Sequence, residues 1–195
     1  MNGYSERYDA ALALAASAHA GQTRKGVTTP YIVHPVHVSV VLIRYGFSED
    51  VAIAGLLHDV VEDQGYPLGD IQARFGLAVA DMVAAVTERK REASQPRRWE
   101  DRKQEALDHI RQAGAEVVAL KAADVLCNAR AIAFALRQEG ALVWKHFSRG
   151  PEQSLWYYRS LADIARQRIA GHPLVAELDE AVQDLEQAID ETQGR

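Results

Sequence analysis

The residues best suited to chemistry in this sequence lie in one short segment, LLHDVVED, between Leu56 and Asp63. Its leucines and valines are typical of a buried helix, but a histidine and three carboxylates interrupt them. On an ideal α-helix each residue turns by about 100°, which places Glu62 about 40° and Asp63 about 140° from His58. The four polar groups then share one arc of an otherwise apolar helix, and we interpret this arc as facing a cleft.

Clustered acids repel one another unless a cation lies among them. Histidine together with carboxylates suits a first-row divalent metal such as manganese, iron or zinc. The plainer alternative is an amphipathic helix whose acids face water, which is the usual place for charged residues. We favour the metal hypothesis because the apolar arc is wide and leaves little of this helix for solvent.

Two other segments offer further ligands. His34 lies in PYIVHP before a predicted helix start, and Asp124 lies in the apolar segment LKAADVLCN. An aspartate inside an apolar helix is costly without a partner, and Asn128 follows one turn later on the same face. Alone, each has a structural alternative: His34 as a helix-start residue, Asp124 as the partner of a buried lysine or arginine, Asn128 as a packed amide. With His58 and Asp59, however, they supply two histidines and two carboxylates for one metal.

The elements that must position these residues are predicted to be helical nearly throughout. Apolar residues recur at helical spacing, and no strand alternation or repeat is convincing. The predicted helices cover about residues 8–16, 35–43, 49–64, 68–75, 77–88, 115–137, 152–169 and 173–192, and residues 89–105 are predicted to form a charged loop leading into a helix. Ser48 is the expected N-cap of the helix that carries LLHDVVED. The predicted fold class is all-α, a helical bundle in a single domain over residues 1–195.

Composition excludes several classes of protein. The length of 195 residues fits one domain, and the net charge of −5 argues against a nucleic-acid partner while allowing a local basic pocket. A single cysteine, Cys127, cannot form an intramolecular disulfide and suits a reducing, cytoplasmic setting. The N-terminus lacks the layout of a signal peptide, and no apolar run reaches the roughly 18 residues of a membrane helix. The oligomeric state stays open.

The same residues resemble a known family. His34, the His58–Asp59 doublet and Asp124 follow the H…HD…D pattern of HD-domain metal-dependent phosphohydrolases. The segments HAGQTRKG, PYIVHP, LLHDVVED, DI..RFG, VT and LKAADVLCNAR resemble, in order, the hydrolase domain of RelA/SpoT-type alarmone enzymes over about residues 8–136. WEDRK and LWYYRSLA resemble segments of small bacterial HD proteins. The chain is thus similar to small stand-alone alarmone hydrolases, with helices in residues 141–192 expected to complete the HD-domain bundle.

That resemblance implies hydrolysis of the 3′-diphosphate of (p)ppGpp, releasing pyrophosphate and GDP or GTP. The implied metal is Mn²⁺, with another first-row divalent metal left open. Carried over by position, the implied metal ligands are His34, His58, Asp59 and Asp124, and the implied water-activating acids are Glu62 and Asp63. The implied substrate-binding residues are Arg24 and Lys25 at the base and phosphates, Asn128 near the ribose, and Arg102 and Lys103 at the phosphates.

One loop departs from the family pattern. After the basic pair the family often has Ser-Gly-Glu, whereas this chain has the longer Gly26–Thr29. Another phosphorylated nucleotide such as NADPH therefore stays open as the substrate, and so does a non-catalytic nucleotide sensor, although the complete acid set speaks against a sensor. A purely structural helical protein is the remaining alternative. His19 and Cys127 are expected to be packing residues, and Tyr157, Tyr158 and Arg159 are candidates for the pocket wall.

Overall fold

The structure, a computed structural model, describes residues 5–88, 91–92 and 95–193. The described residues form ten α-helices, one 3-10 helix and a ribbon of two short strands. In chain order they are α1 (Glu6–Ala18), α2 (Val33–Arg44), α3 (Glu49–Leu57), α4 (Val60–Gln64), α5 (Leu68–Phe75), α6 (Leu77–Val86), β1 (Arg91–Glu92), β2 (Gln95–Pro96), α7 (Trp99–Gln112), α8 (Ala115–Glu139), the 3-10 helix (Gly140–His146), α9 (Pro151–Arg168) and α10 (Pro173–Gln193). The predicted all-α class is confirmed.

Local sequence signals explain most helix boundaries. The Ser48 side chain accepts from the Val51 amide, as an N-cap does. Helix α5 covers the predicted residues, and α6 ends at Val86 rather than near Glu88. The charged segment gives way to α7 at Trp99, after the antiparallel β1–β2 ribbon, which is too short to show an alternating pattern. Residues 89, 90, 93 and 94 of that predicted loop lie outside the described residues.

The prediction of one continuous third helix through LLHDVVED is wrong. The helix ends at Leu57 and restarts at Val60. Asp59 has φ −97° and ψ −9°, away from regular helical values, and it occupies the N-cap position of α4. Its side chain makes no capping hydrogen bond, because the carboxylate accepts from the Tyr31 hydroxyl and faces His58. The angles calculated for an unbroken helix therefore do not hold beyond His58.

Helix α8 forms the centre of the core. It packs against α2, α3, α6, α9 and α10, and α10 runs along it over the longest contact. Helices α2 and α3 approach each other closely at Gly55, where a Cβ would lie 2.9 Å from a Leu42 methyl group and 3.2 Å from the Ser39 Cα. This close approach lies one turn before His58, whose ring centroid is 5.2 Å from that of His34 at the start of α2.

None of the helices in the described ranges is long and apolar enough to cross a membrane.

Candidate active site

Four predicted ligands converge from three helical regions. His34 lies in the first turn of α2, His58 and Asp59 lie in the link between α3 and α4, and Asp124 lies in the middle of α8. Nε2 of His34 is 3.2 Å from Asp124 Oδ1 and 3.7 Å from Asp59 Oδ2. Nε2 of His58 is 3.1 Å from Asp59 Oδ2 and 3.8 Å from Asp124 Oδ1. The structure thus brings two imidazoles and two carboxylates to one point.

His58 has the arrangement expected of a metal ligand. Its Nδ1 lies 2.8 Å from the Gly55 carbonyl oxygen, which fixes Nδ1–H as a donor in the neutral ring. Its Nε2 is then directed at the cluster, buried and without a hydrogen-bond partner. Potential ligand atoms of His34, His58 and Asp59 all lie within 4.8 Å of one another. A buried unpaired nitrogen facing carboxylates fits a divalent cation, because such ligands supply lone pairs and negative charge.

The two histidines differ in their titration. Burial lowers the pKa of His34 in spite of the nearby Asp124 carboxylate. Burial also disfavours the charged form of His58, but Asp59 and Asp124 outweigh it and raise the pKa of His58 to about 9. The Asp59 pKa is lowered in return, chiefly by His58 against the effect of burial.

Asp124 has the contacts expected from both hypotheses, as a member of the His/Asp cluster and as the partner of a buried lysine. Its Oδ2 accepts from Lys121 Nζ at 2.8 Å, which is the buried basic partner that the structural alternative required. Its Oδ1 accepts from Asn128 Nδ2 at 2.7 Å and faces His34. Burial opposes ionisation, yet Lys121 holds the pKa of Asp124 well below its usual range. An ionised carboxylate therefore faces the cluster.

Tyr31 supports the other carboxylate. Its hydroxyl donates to Asp59 Oδ2 at 2.6 Å. Burial and the Asp59 charge raise the pKa of Tyr31 far above its ordinary value, so the hydroxyl keeps its proton. On its other side the Tyr31 ring stacks on the buried His19, with ring centroids 4.7 Å apart. Tyr31 therefore fixes the orientation of Asp59.

The predicted acid pair lies beside the cluster on α4. Glu62 Oε2 accepts from the Glu88 backbone amide at 3.0 Å. Asp63 accepts from Gln22 Nε2 at 3.4 Å. Both carboxylates line the cavity into which the cluster opens.

That cavity has a volume of about 740 Å³ and a wall rich in cations. Arg24 Nη2 donates to Asn128 Oδ1 at 2.8 Å, and Lys25 Nζ lies 5.2 Å from the centre of the Phe147 ring. Arg102 and Lys103, on α7, both bond to Glu88. The predicted substrate-binding residues all line this one cavity: Arg24, Lys25, Arg102, Lys103 and Asn128.

The loop that departs from the family pattern forms part of the wall. The Arg24 amide donates to the Thr29 carbonyl oxygen at 2.9 Å, so the segment is a tight turn. Gly26 lies at its tip with φ +78°, and a Cβ there would lie 2.7 Å from the His146 ring. The loop is therefore packed against the end of the 3-10 helix, and Val27 and Thr29 line the cavity.

The remaining candidates divide between wall and surface. Tyr157 and Tyr158 line the cavity. Arg159 does not, because it forms a surface ion pair with Glu186, and its assignment to the pocket wall is wrong. Cys127 is partly buried at the wall, and burial raises the pKa of its thiol to about 12, which fits a packing role. His19 is buried and bonds Gln22 through Nδ1, also a packing contact.

Sequence reasoning overlooked three residues at this site: Tyr31, Glu88 and Lys121. Tyr31 lies inside the quoted PYIVHP, three residues before His34, so proximity was an available signal. Lys121 lies three residues before Asp124, at a spacing that puts two side chains on one helix face. For Glu88 no local pattern exists, because its partners follow 14 and 15 residues later.

Comparison with known proteins agrees with this geometry. The HD domain family matches residues 11–150. The guanosine-3′,5′-bis(diphosphate) 3′-pyrophosphohydrolase of Vibrio cholerae is 31% identical over 173 residues, which are 86% of this chain and 22% of that protein. The bifunctional (p)ppGpp synthase/hydrolase SpoT of Escherichia coli is 29% identical over 181 residues, 90% of this chain and 23% of its own. The chain thus spans about a fifth of the length of these curated relatives.

Two solved structures match over nearly their whole length. Protein lmo0812 of Listeria monocytogenes superposes with a TM-score of 0.69 and 36% identity over 80% of this chain and 99% of its own. A protein described as a metazoan ortholog of SpoT that hydrolyzes ppGpp superposes with a TM-score of 0.76 and 26% identity, over 97% of this chain and 99% of its own. The chain belongs to the HD domain family, and its resemblance to the RelA/SpoT hydrolase type is confirmed.

Proposed function

We propose that the protein is a metal-dependent hydrolase that removes the 3′-diphosphate of (p)ppGpp, releasing pyrophosphate and GDP or GTP. The main observation behind this proposal is that the His/Asp cluster lies in a cavity whose wall also contains several cationic side chains. The ppGpp hydrolysis described for the metazoan structural relative supports this choice of substrate. The names of the Vibrio cholerae and Escherichia coli relatives, a 3′-pyrophosphohydrolase and a (p)ppGpp synthase/hydrolase, support it as well.

In this proposal His34, His58, Asp59 and Asp124 hold one divalent metal, with Mn²⁺ as the expected ion. When bound, such a metal lowers the pKa of a coordinated water and polarises a phosphoryl oxygen. Hydrogen bonds from Tyr31 to Asp59 and from Lys121 to Asp124 hold these two carboxylates in place. Ligands oriented in this way by neighbouring groups bind metal more tightly.

The other residues act on water and substrate. Glu62, with Asp63 beside it, accepts the proton of the attacking water, since a positioned carboxylate can act as general base. The water oxygen forms a bond to the phosphorus next to the ribose 3′ oxygen, and the bond from that phosphorus to the 3′ oxygen breaks. The proton ends on the released 3′ oxygen. Cations of the wall offset charge on the phosphates.

Different residues of the cavity wall bind different parts of the substrate. Arg102 and Lys103 bind the diphosphate, and Arg24 and Lys25 bind the remaining phosphates and the base. Asn128, already fixed by Arg24 and Asp124, contacts the ribose. We further propose that residues 1–195 act as a single domain in the cytoplasm, for which the packing of α10 along α8 and the single cysteine give support.

The test is incubation of the full chain with ppGpp and Mn²⁺. We expect pyrophosphate and GDP in equal amounts, and no turnover after chelation of the metal. A parallel panel with NADPH and other phosphorylated nucleotides tests the choice of substrate, because the Gly26–Thr29 loop differs from the family pattern. Preference for NADPH with release of free phosphate would replace the proposal by a phosphatase, and no turnover of any nucleotide by metal-loaded protein would favour a sensor.

A further inference from the structure

A buried carboxylate outside the predicted site connects two parts of the cavity. Glu88 follows α6, and its side chain is only 5% exposed. Its Oε1 accepts from Lys103 Nζ at 2.5 Å and its Oε2 from Arg102 Nη1 at 3.4 Å. Burial opposes ionisation, but Lys103, Lys121 and Arg102 together lower the pKa of Glu88. Glu88 is therefore an anion enclosed by cations.

These cations keep hydrogen-bonding capacity for a ligand. Lysine offers three donors and arginine five. The Arg102 Nε is buried and has no hydrogen-bond partner in the described structure. Lys103 Nζ also lies 4.4 Å from the Tyr157 ring centre, which limits its movement. Both side chains line the cavity.

The backbone of the same residue contacts the acid pair. The Glu88 amide donates to Glu62 Oε2 at 3.0 Å. The side chain of Glu88 thus contacts the cations proposed to bind phosphate, while its amide contacts the acid proposed to accept the proton.

We infer that Glu88 is a positioning residue, which holds Lys103 and Arg102 in the arrangement that binds the substrate's diphosphate. This inference rests on the proposed function. Two adjacent cations repel each other, and a shared carboxylate offsets that repulsion and fixes their directions. Glu88 acts through these side chains and does not itself contact the substrate.

A purely electrostatic role predicts the opposite effect. Neutralising Glu88 makes the wall more positive, and Coulomb attraction alone would then tighten the binding of an anion. Loss of positioning weakens that binding, because the donors no longer converge. The sign of the change in KM therefore separates the two roles.

The first test is Glu88→Gln in the full-length, Mn²⁺-loaded protein. We expect KM for ppGpp to rise about tenfold, in keeping with loss of a hydrogen bond between charged groups, and kcat to change less than about threefold. Glu100→Gln is the matched control, since Glu100 also bonds an arginine of the cavity wall, Arg149, but its side chain is 40% exposed. Its KM should stay within about twofold.

A double-mutant cycle tests whether Glu88 acts through Lys103. Lys103→Met should raise KM by itself, and adding Glu88→Gln to it should raise KM by clearly less than the change of about tenfold expected for Glu88→Gln alone, because only the contact to Arg102 is then left to lose. The inference is overturned if the increases in KM of the two single variants multiply in the double variant. It is also overturned if the KM of Glu88→Gln is unchanged or lower. If Glu88→Gln does not fold, Glu88→Asp decides, because it keeps the charge but is too short for both contacts; an unchanged KM there also overturns it.

Binding of inorganic pyrophosphate to the full-length protein separates this inference from the proposed function. Calorimetry in metal-free buffer should show weaker binding to Glu88→Gln than to the wild type, whether or not ppGpp is a substrate. If the wild type does not hydrolyse ppGpp but this difference is found, the proposed function fails and the positioning role stands. If the wild type hydrolyses ppGpp and neither KM nor pyrophosphate binding changes in Glu88→Gln, the positioning role fails alone.

Discussion

The cavity has two regions that are built in different ways. The His/Asp cluster is formed by nearly buried side chains on α2, α8 and the α3–α4 link. Neighbouring groups hold three of them: Tyr31 bonds to Asp59, the Gly55 carbonyl oxygen to His58, and Lys121 to Asp124. The basic wall is formed by charged side chains of the 24–29 loop and α7, which bond to other polar residues of the same wall. Buried side chains that are held by hydrogen bonds are costly to rearrange. In the proposed function, the metal chemistry therefore depends on side chains fixed by the core, whereas the substrate is bound by side chains at the edge of the fold, which reach the cluster through Asn128.

The largest expected effect comes from breaking the cluster itself. His58→Gln removes a proposed metal ligand, so bound Mn²⁺ should be lost and turnover should fall about 1000-fold or more. Metal analysis and kcat measure both. His172→Gln is the control, because His172 is a partly buried histidine between α9 and α10 that packs against Phe47, away from the cavity. Retention of metal and turnover in His58→Gln would show that the cluster is not the metal site.

The next effect separates metal binding from chemistry. Glu62→Gln keeps the size and the contact to the Glu88 amide but removes the basic carboxylate. We expect kcat to fall about 100-fold to 10,000-fold, as for loss of a general base, with Mn²⁺ content unchanged. A loss of metal together with activity would instead place Glu62 among the ligands.

A smaller effect is expected from the groups that orient the ligands. Tyr31→Phe removes only the hydroxyl that donates to Asp59. Mn²⁺ affinity should fall about 10-fold to 100-fold, the usual range for such contacts, and excess metal should restore most of kcat. A metal titration measures this. Unchanged affinity would mean that Asp59 is fixed by the remaining packing alone.

The smallest effect is expected at Arg24 in the basic wall. Arg24→Gln removes a charge from the wall but leaves the cluster intact, so KM for ppGpp should rise about tenfold while metal affinity stays unchanged. Arg159→Gln, a charge change on the surface, should alter neither. A change in metal affinity for Arg24→Gln would contradict this prediction and would show that the basic wall and the cluster are coupled.

The sequence allowed prediction of the helical class and of the convergence at the cluster. Helical periodicity is a local property, and His34, His58, Asp59 and Asp124 match an ordered motif, so both could be read without coordinates. The break at His58–Asp59 could not, because angles on a helical wheel assume an unbroken helix. Glu88 was overlooked for another reason: a single acid acquires its partners only when α6 and α7 pack side by side.

The ribbon at residues 91–96 shows the same limit. Two residues a strand give too little alternation to recognise, although the residues pair in an antiparallel register. The wall position of the 24–29 loop was likewise inferred from the resemblance, whereas its packing against His146 depends on the 3-10 helix, which local periodicity did not indicate. Residues that act through distant partners are thus the ones that sequence patterns miss.

In the proposed reaction, water activated beside the cluster attacks phosphorus in a diphosphate bound by the basic wall. Hydrolysis of ppGpp by Mn²⁺-loaded protein in H₂¹⁸O, followed by mass spectrometry of the products, tests it directly. We predict one ¹⁸O atom in each pyrophosphate and none in GDP. Label in GDP, release of free phosphate instead of pyrophosphate, or absence of turnover with metal bound would contradict the account.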